Sequence, residues 1–136
     1  MGKGKGIVWA LILVILVLLG GGFVWFQMQG KGPKAPPLVQ VDMGEFTTNL
    51  ADLDQKRYIQ AQVILVLQGV RMEQKVGEEK AALKDAINTT LRSFTAAELQ
   101  RPQGETDLKE KLQAALEAIL GPGTVQKIYF PRLLIQ

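Results

Sequence analysis

Twenty consecutive residues, Ile7 to Phe26, carry no charge. In an α-helix, at about 1.5 Å per residue, such a run spans roughly 30 Å, the thickness of a bilayer's hydrocarbon core. Trp9 sits near one end and Trp25 and Phe26 at the other, where amphipathic rings favour the headgroup level. A buried core helix rarely goes so long without a polar residue. A cleaved signal peptide has an apolar run of about 7 to 15 residues and a small-x-small cleavage site. Here the run is longer and passes into Phe23-Val24-Trp25-Phe26, and the Gly20-Gly21-Gly22 triplet lies inside it. The run therefore reads as an uncleaved transmembrane anchor over residues 7–26, behind a tail of residues 1–6. With no cysteine in the sequence, lipoprotein modification, palmitoylation and prenylation are not available as a second anchor.

Orientation rests on weaker signals. Lys3 and Lys5 precede the run and Lys31 and Lys34 follow it, so the positive charges flanking the span nearly balance. The tail is too short to hold a domain, and anchors of this form commonly leave such a tail in the cytoplasm. The expected topology has the N-terminus inside and the rest of the chain on the far side of the membrane.

Beyond the anchor, residues 38–136 have room for one domain with a modest core. The net charge of +3 comes mostly from the tail; the remainder holds 14 basic and 13 acidic residues. No basic run or basic helix face points to nucleic acid. The sequence has no histidine, no cysteine and a single serine, Ser93. Ser-His and Cys-His nucleophilic pairs, histidine metal sites and most neutral-pH general bases are thereby excluded. No glycine-rich loop resembles a phosphate cradle. The expectation is a non-enzymatic domain without catalytic, cofactor-binding or metal-ligating residues.

Residues 27–37 read as a linker, with glycines for freedom and three prolines favouring extended geometry. Leu38–Met43 alternates as a strand and Phe46–Leu50 as a weaker one. Ala51–Gln55 reads as a turn on its aspartates. The strongest strand is Arg57–Gln68, with Ile59, Ala61, Val63, Leu65 and Leu67 on one face and Tyr58, Gln60 and Gln62 on the other. Its second half is apolar on both faces, which predicts a central, covered strand. From about Gln74 to Phe94 the period becomes helical, with Val76, Leu83, Ile87, Leu91 and Phe94 on one face. Thr95 and Glu98 form a capping box that starts a short helix over 96–100. Leu108, Leu112, Ala115, Leu116 and Ile119 mark a second long helix from about Glu105 to Leu120, stopped by Gly121-Pro122-Gly123. The last segment, Thr124–Gln136, is β-prone, and Pro131 places it at an edge or a bulge. The predicted order is β-β-β-α-α-β, an α+β domain with two helices on one face of a mainly antiparallel sheet.

In this order the chain resembles a known family. A charged tail, one span and a Pro/Gly linker lead into Phe46-Thr47-Thr48-Asn49-Leu50-Ala51-Asp52. Arg57-Tyr58 and a long strand follow, then Ser93-Phe94-Thr95-Ala96-Ala97-Glu98-Leu99, Pro102-Gln103-Gly104 and the C-terminal run from Val125 to Gln136. The pattern is similar to the flagellar basal-body-associated FliL family, with Pro131 and the short linker as departures. The resemblance implies a protein of the bacterial inner membrane whose periplasmic domain resembles stomatin-type (SPFH, band 7) domains. It further implies association with the ion-driven stator units of the flagellar motor, in support of torque, swimming and swarming, with copies arranged as a ring. The implied partners are membrane lipid, stator units and further copies of the chain; no nucleic acid, cofactor or small-molecule substrate is implied.

Gly20, Gly21 and Gly22 could admit a second transmembrane helix at close range, or simply loosen the outer end of the span. Tyr58, Gln60 and Gln62 form a strand face that could meet a partner or be ordinary solvated surface. The strand around Val39 and Val41 and the edge near Pro131 are the places for strand-mediated self-association. Asp52 and Asp54 fit a turn better than a cation site. Asn88-Thr89-Thr90 matches a glycosylation acceptor that carries no meaning in a bacterial helix. An envelope scaffold unrelated to motility is the alternative function, and a tethered enzyme a distant third for want of any titratable constellation.

Overall fold

The computed structural model describes residues 3–29 and 35–136, for 26–29 the backbone alone. Residues 30–34 of the linker, the first two tail residues and the Phe26 ring lie outside the described set. Two units result: an N-terminal helix, and a domain over Pro36–Gln136.

The helix, α1 (Lys3–Gln29), is longer than the apolar run and takes in most of the tail and the first linker residues. Its described side chains are exposed all round, Trp9 and Trp25 at 71% and 69%. A helix that is apolar on every side has no soluble face and requires a nonpolar medium or neighbouring helices.

In the domain, strands β1 (Leu38–Asn49) and β2 (Tyr58–Gln68) form a long antiparallel hairpin. The sequence reading expects two strands here, broken near Gly44. The structure has one strand carrying a β-bulge: the register shifts between Asp42 and Gly44, and Gly44 has φ +90°. The Gly44 N–H donates to Asp42 Oδ1 at 2.8 Å. Glycine tolerates that backbone conformation and the aspartate satisfies the freed amide, so the ladder continues past a site that breaks the alternation.

Helices α2 (Met72–Glu78), α3 (Lys80–Arg92), α4 (Ala96–Gln100) and α5 (Gly104–Leu120) follow, then strands β3 (Val125–Tyr129) and β4 (Leu133–Ile135). The helix expected over 74–94 is divided at Glu79, and Phe94 lies beyond its end. Its apolar face explains the division. Val76 and Leu83 are seven residues apart, and between them Glu78, Glu79 and Lys80 are exposed, so no core contact holds that turn. The final segment is likewise two strands, both antiparallel to β2, with Phe130, Pro131 and Arg132 between them. Proline has no N–H for the ladder, which is interrupted there; just past it the Gln62 N–H donates to the Arg132 carbonyl at 2.9 Å. The order is thus β-β-α-α-α-α-β-β, with β2 central, β1 on one side and β3 and β4 sharing the other.

The core lies between one face of this sheet and the helices. Ile59, Ala61, Val63, Leu65 and Leu67 are fully buried against Leu83, Ile87, Leu91, Leu108, Leu112 and Leu116. These are the strand and helix faces that the periodicity picks out. None of the domain's own helices covers the opposite sheet face, and Ile64 and Val66 remain half-buried there. Strand β2 is therefore central, as the sequence predicts, but covered on one face instead of two. Thr90, the buried polar residue of α3, donates from Oγ1 to the Ala86 carbonyl at 2.8 Å.

The capping box forms as expected. The Glu98 amide donates to Thr95 Oγ1 at 3.2 Å, and the Thr95 amide to Glu98 Oε2 at 3.0 Å. Thr95→Ala removes one of these reciprocal bonds and is expected to cost about 1 kcal/mol. In a domain of this size that lowers the melting temperature by roughly 4–8 °C. An unchanged thermal midpoint would show that the cap contributes nothing.

Candidate interaction surfaces

Alternation along the strands divides the proposed surface residues between faces. Tyr58, Gln60 and Gln62 stand on the helix-free face of β2. Val39 and Val41 pair with Leu67 and Leu65, on the helix-covered side of β1. They are half-buried there, and Val41 packs against the core. Pro131 lies between β3 and β4, on the opposite side of β2 from β1. The six residues therefore form no single patch. Val39 and Val41 belong to the edge strand, whose outward-facing part is its backbone.

The helix-free face has a polar middle and two less polar ends. Arg132 Nη1 reaches Glu45 Oε1 at 2.8 Å, and Gln62 Nε2 donates to Asp42 Oδ2 at 3.1 Å. This row links β1, β2 and the β3–β4 junction. On one side of it lie Tyr58, Gln60, Thr47 and Leu134; on the other, Leu38, Gln40, Ile64, Val66, Lys127 and Tyr129. Leu38, Val66 and Tyr129 escape the sequence reading because the outer side chains of three strands become one surface only once the register is known.

The two sheet edges differ. At β3, the Val125 amide donates to Glu117 Oε1 at 3.3 Å, and its carbonyl accepts from Gln113 Nε2 at 3.0 Å. Side chains of α5 thus occupy the start of that edge. Along β1, among the described residues, the one side-chain bond to backbone is the bulge contact at Gly44. Twelve residues of β1 therefore present an edge open to strand addition, with a bulge in its middle.

The remaining features are structural in character. Asp52 Oδ2 accepts the Ala96 amide at 2.9 Å, and Asp52 lies 4.0 Å from the Arg57 guanidinium. The aspartate pins the β1–β2 loop to the start of α4, while Asp54 is exposed. No group of three or more carboxylates that could hold a metal ion occurs among the described residues. A groove of about 290 Å³ between α5 and β3 is lined by Lys109, Glu110, Gln113, Lys127 and Tyr129 among others. At Gly20, Gly21 and Gly22, an added Cβ would meet nothing within 4 Å, so no described contact of this chain requires glycine there.

Comparison with known proteins gives the family. The family described as flagellar basal body-associated protein FliL matches residues 40–136, which is the whole domain from early β1 onward. The flagellar protein FliL of Aquifex aeolicus (strain VF5) is 31% identical over 110 residues, covering 78% of this chain and 68% of the relative. A match over the folded domain, behind an apolar helix long enough to cross a bilayer, places the chain: it belongs to the FliL family of flagellar basal-body-associated proteins.

Proposed function

We propose that this chain is a non-enzymatic accessory of the flagellar motor that associates with stator units and with further copies of itself. The single observation that carries the reading is the family match over residues 40–136. Residues 7–26 hold the chain in the bacterial inner membrane with the N-terminus cytoplasmic, residues 27–37 are the tether, and residues 38–136 form a periplasmic domain of stomatin-like (SPFH) character. Copies assemble as a ring around the stator and support its engagement under load, and hence torque, swimming and swarming.

The physical features support this reading without singling out a partner. A small domain lacking histidine and cysteine suits binding better than catalysis. The open β1 edge supplies main-chain donors and acceptors for strand addition, and the face bearing Tyr58, Gln60 and Gln62 supplies a flat, half-polar surface. The glycines of α1 leave room for a second transmembrane helix.

Photo-crosslinking in intact cells tests the proposal, with the reactive group placed along residues 38–45 and 56–62. The expected result is capture of the stator's periplasmic segment and of a second copy of this chain. Capture of unrelated envelope proteins alone, with normal swimming and swarming in a deletion strain, would move the assignment to a general envelope scaffold.

A further inference from the structure

We propose that the corner of the helix-free sheet face where the tether enters the domain rests on the membrane and binds anionic lipid headgroups. The inference relies on α1 being a membrane anchor. It starts from chain length: α1 ends at Gln29 and the domain begins at Pro36. Even fully extended, the chain between them reaches about 25 Å at most. The point of entry is fixed within the domain, because the Gly69 amide donates to the Pro37 carbonyl at 3.0 Å and Leu38 pairs with Gln68.

At that entry the helix-free face has a depression of about 410 Å³, lined by Leu38, Gln40, Val66, Gln126, Lys127 and Tyr129. Its one charged lining residue is basic. Leu38 is 62% exposed, Tyr129 44%, and Val70, on the turn beside Gly69, 74%. Exposed aliphatic side chains beside a tyrosine and a lysine suit a bilayer interface. The apolar parts enter the acyl boundary, the phenol stays at headgroup depth, and the ammonium extends toward phosphate. The carboxylates further along the face are already engaged, Asp42 by Gln62 and the Gly44 amide, and Glu45 by Arg132. Glu45 is neutralised by its ion pair, and Asp42, which keeps its charge, does not line the depression. Tethering raises the local concentration of lipid, so a contact too weak to retain a free domain is still populated.

The chain has no cysteine, so single spin labels can be placed in the full-length protein. The test uses nanodiscs of phosphatidylethanolamine and phosphatidylglycerol and labels at Gln126→Cys and Leu53→Cys. Leu53, 98% exposed on the β1–β2 loop, lies about 35 Å along the strands from the corner and serves as reference. The expected result is a several-fold higher ratio of oxygen to nickel-chelate accessibility at residue 126 than at residue 53. Adding Leu38→Asp and Lys127→Glu should return residue 126 to the reference value without altering the melting temperature. Equal ratios in a chain held by the disc would overturn the proposal and leave the anchor intact. A chain that elutes apart from the disc would overturn the anchor reading and the proposal with it. Loss of access to both reagents, with spin–spin broadening, would show a second copy in place of lipid and would also overturn it.

Discussion

Gly104→Ala is expected to destabilise the domain by about 2–3 kcal/mol and lower its melting temperature by roughly 10–20 °C. Helix propensity alone predicts the opposite sign, because alanine is favoured over glycine by up to about 1 kcal/mol in a helix. Geometry decides against propensity here. Gly104 is buried at the first position of α5, where its amide bonds to the Arg101 carbonyl at 2.9 Å. A Cβ at this position would lie 2.4 Å from the Leu99 carbonyl oxygen and 2.5 Å from that of Glu98. Both are backbone atoms of α4, so no side chain can swing aside. Relief requires α4 and α5 to separate at the point where they meet. Gly77 is the matched control: it is exposed near the end of α2, and an added Cβ would meet nothing within 4 Å. Gly77→Ala should therefore stabilise, by a few tenths to about 1 kcal/mol. Circular-dichroism melts of the two variants in detergent, with α1 as a constant baseline, should move in opposite directions. Equal, small shifts would show that the α4–α5 junction yields at little cost.

The same glycine shows where sequence reading reaches its limit. Pro102-Gln103-Gly104 reads correctly as a break between helices, yet nothing local distinguishes a glycine that turns the chain from one that admits a neighbouring backbone. Side-chain periodicity is the reliable signal. The alternation of β2 and the spacings of Leu83, Ile87, Leu91, Leu108, Leu112 and Leu116 identify residues that are fully buried. Capping chemistry is equally local, and α4 begins at the residue after Thr95, as the box implies. The errors arise where a local irregularity is absorbed by long-range pairing. Gly44 looks like the end of a strand, but the hairpin partner carries β1 through it as a bulge. Glu79 divides a helix because no core residue anchors its turn. Pro131 interrupts a strand whose two halves stay on the same side of β2.

The interaction surfaces were less legible for a related reason. Tyr58, Gln60 and Gln62 share a face because they lie on one strand, and period two suffices to show it. Val39 and Val41 look equivalent from sequence, but register places them on the covered side. Leu38, Val66, Lys127 and Tyr129 come from three strands far apart in the chain and form one depression only through antiparallel pairing. The apolar second half of β2 suggests a cover on both faces. The structure instead leaves Ile64 and Val66 half-buried among exposed neighbours, which is the origin of the less polar end of that face.

Leu112→Ala should produce the largest loss of stability, about 3–4 kcal/mol. Leu112 is fully buried midway along α5, in the row Leu108, Leu112, Leu116 and Leu120, which packs toward α3 and the sheet. The leucines on both sides in that row are held by the helix and cannot close the resulting void, so little collapse offsets the lost contacts. A domain of this size has about 5–15 kcal/mol in total, and the substitution lowers its melting temperature by roughly 12–25 °C. The consequence for function separates the two units of the chain. Residues 7–26 are untouched, so the variant should still fractionate with membranes at close to normal levels when expressed at low temperature. Its domain, however, keeps only the remainder of that stability and unfolds at a lower temperature, where the β1 edge and the helix-free face are lost together. Motility at low and high temperature is the informative pair of measurements. Normal motility when cold with a defect when warm, at constant membrane abundance, would show that the folded domain acts beyond what the anchor supplies. A defect absent at both temperatures, in a variant shown by melting to be destabilised as expected, would place the activity in the membrane segment.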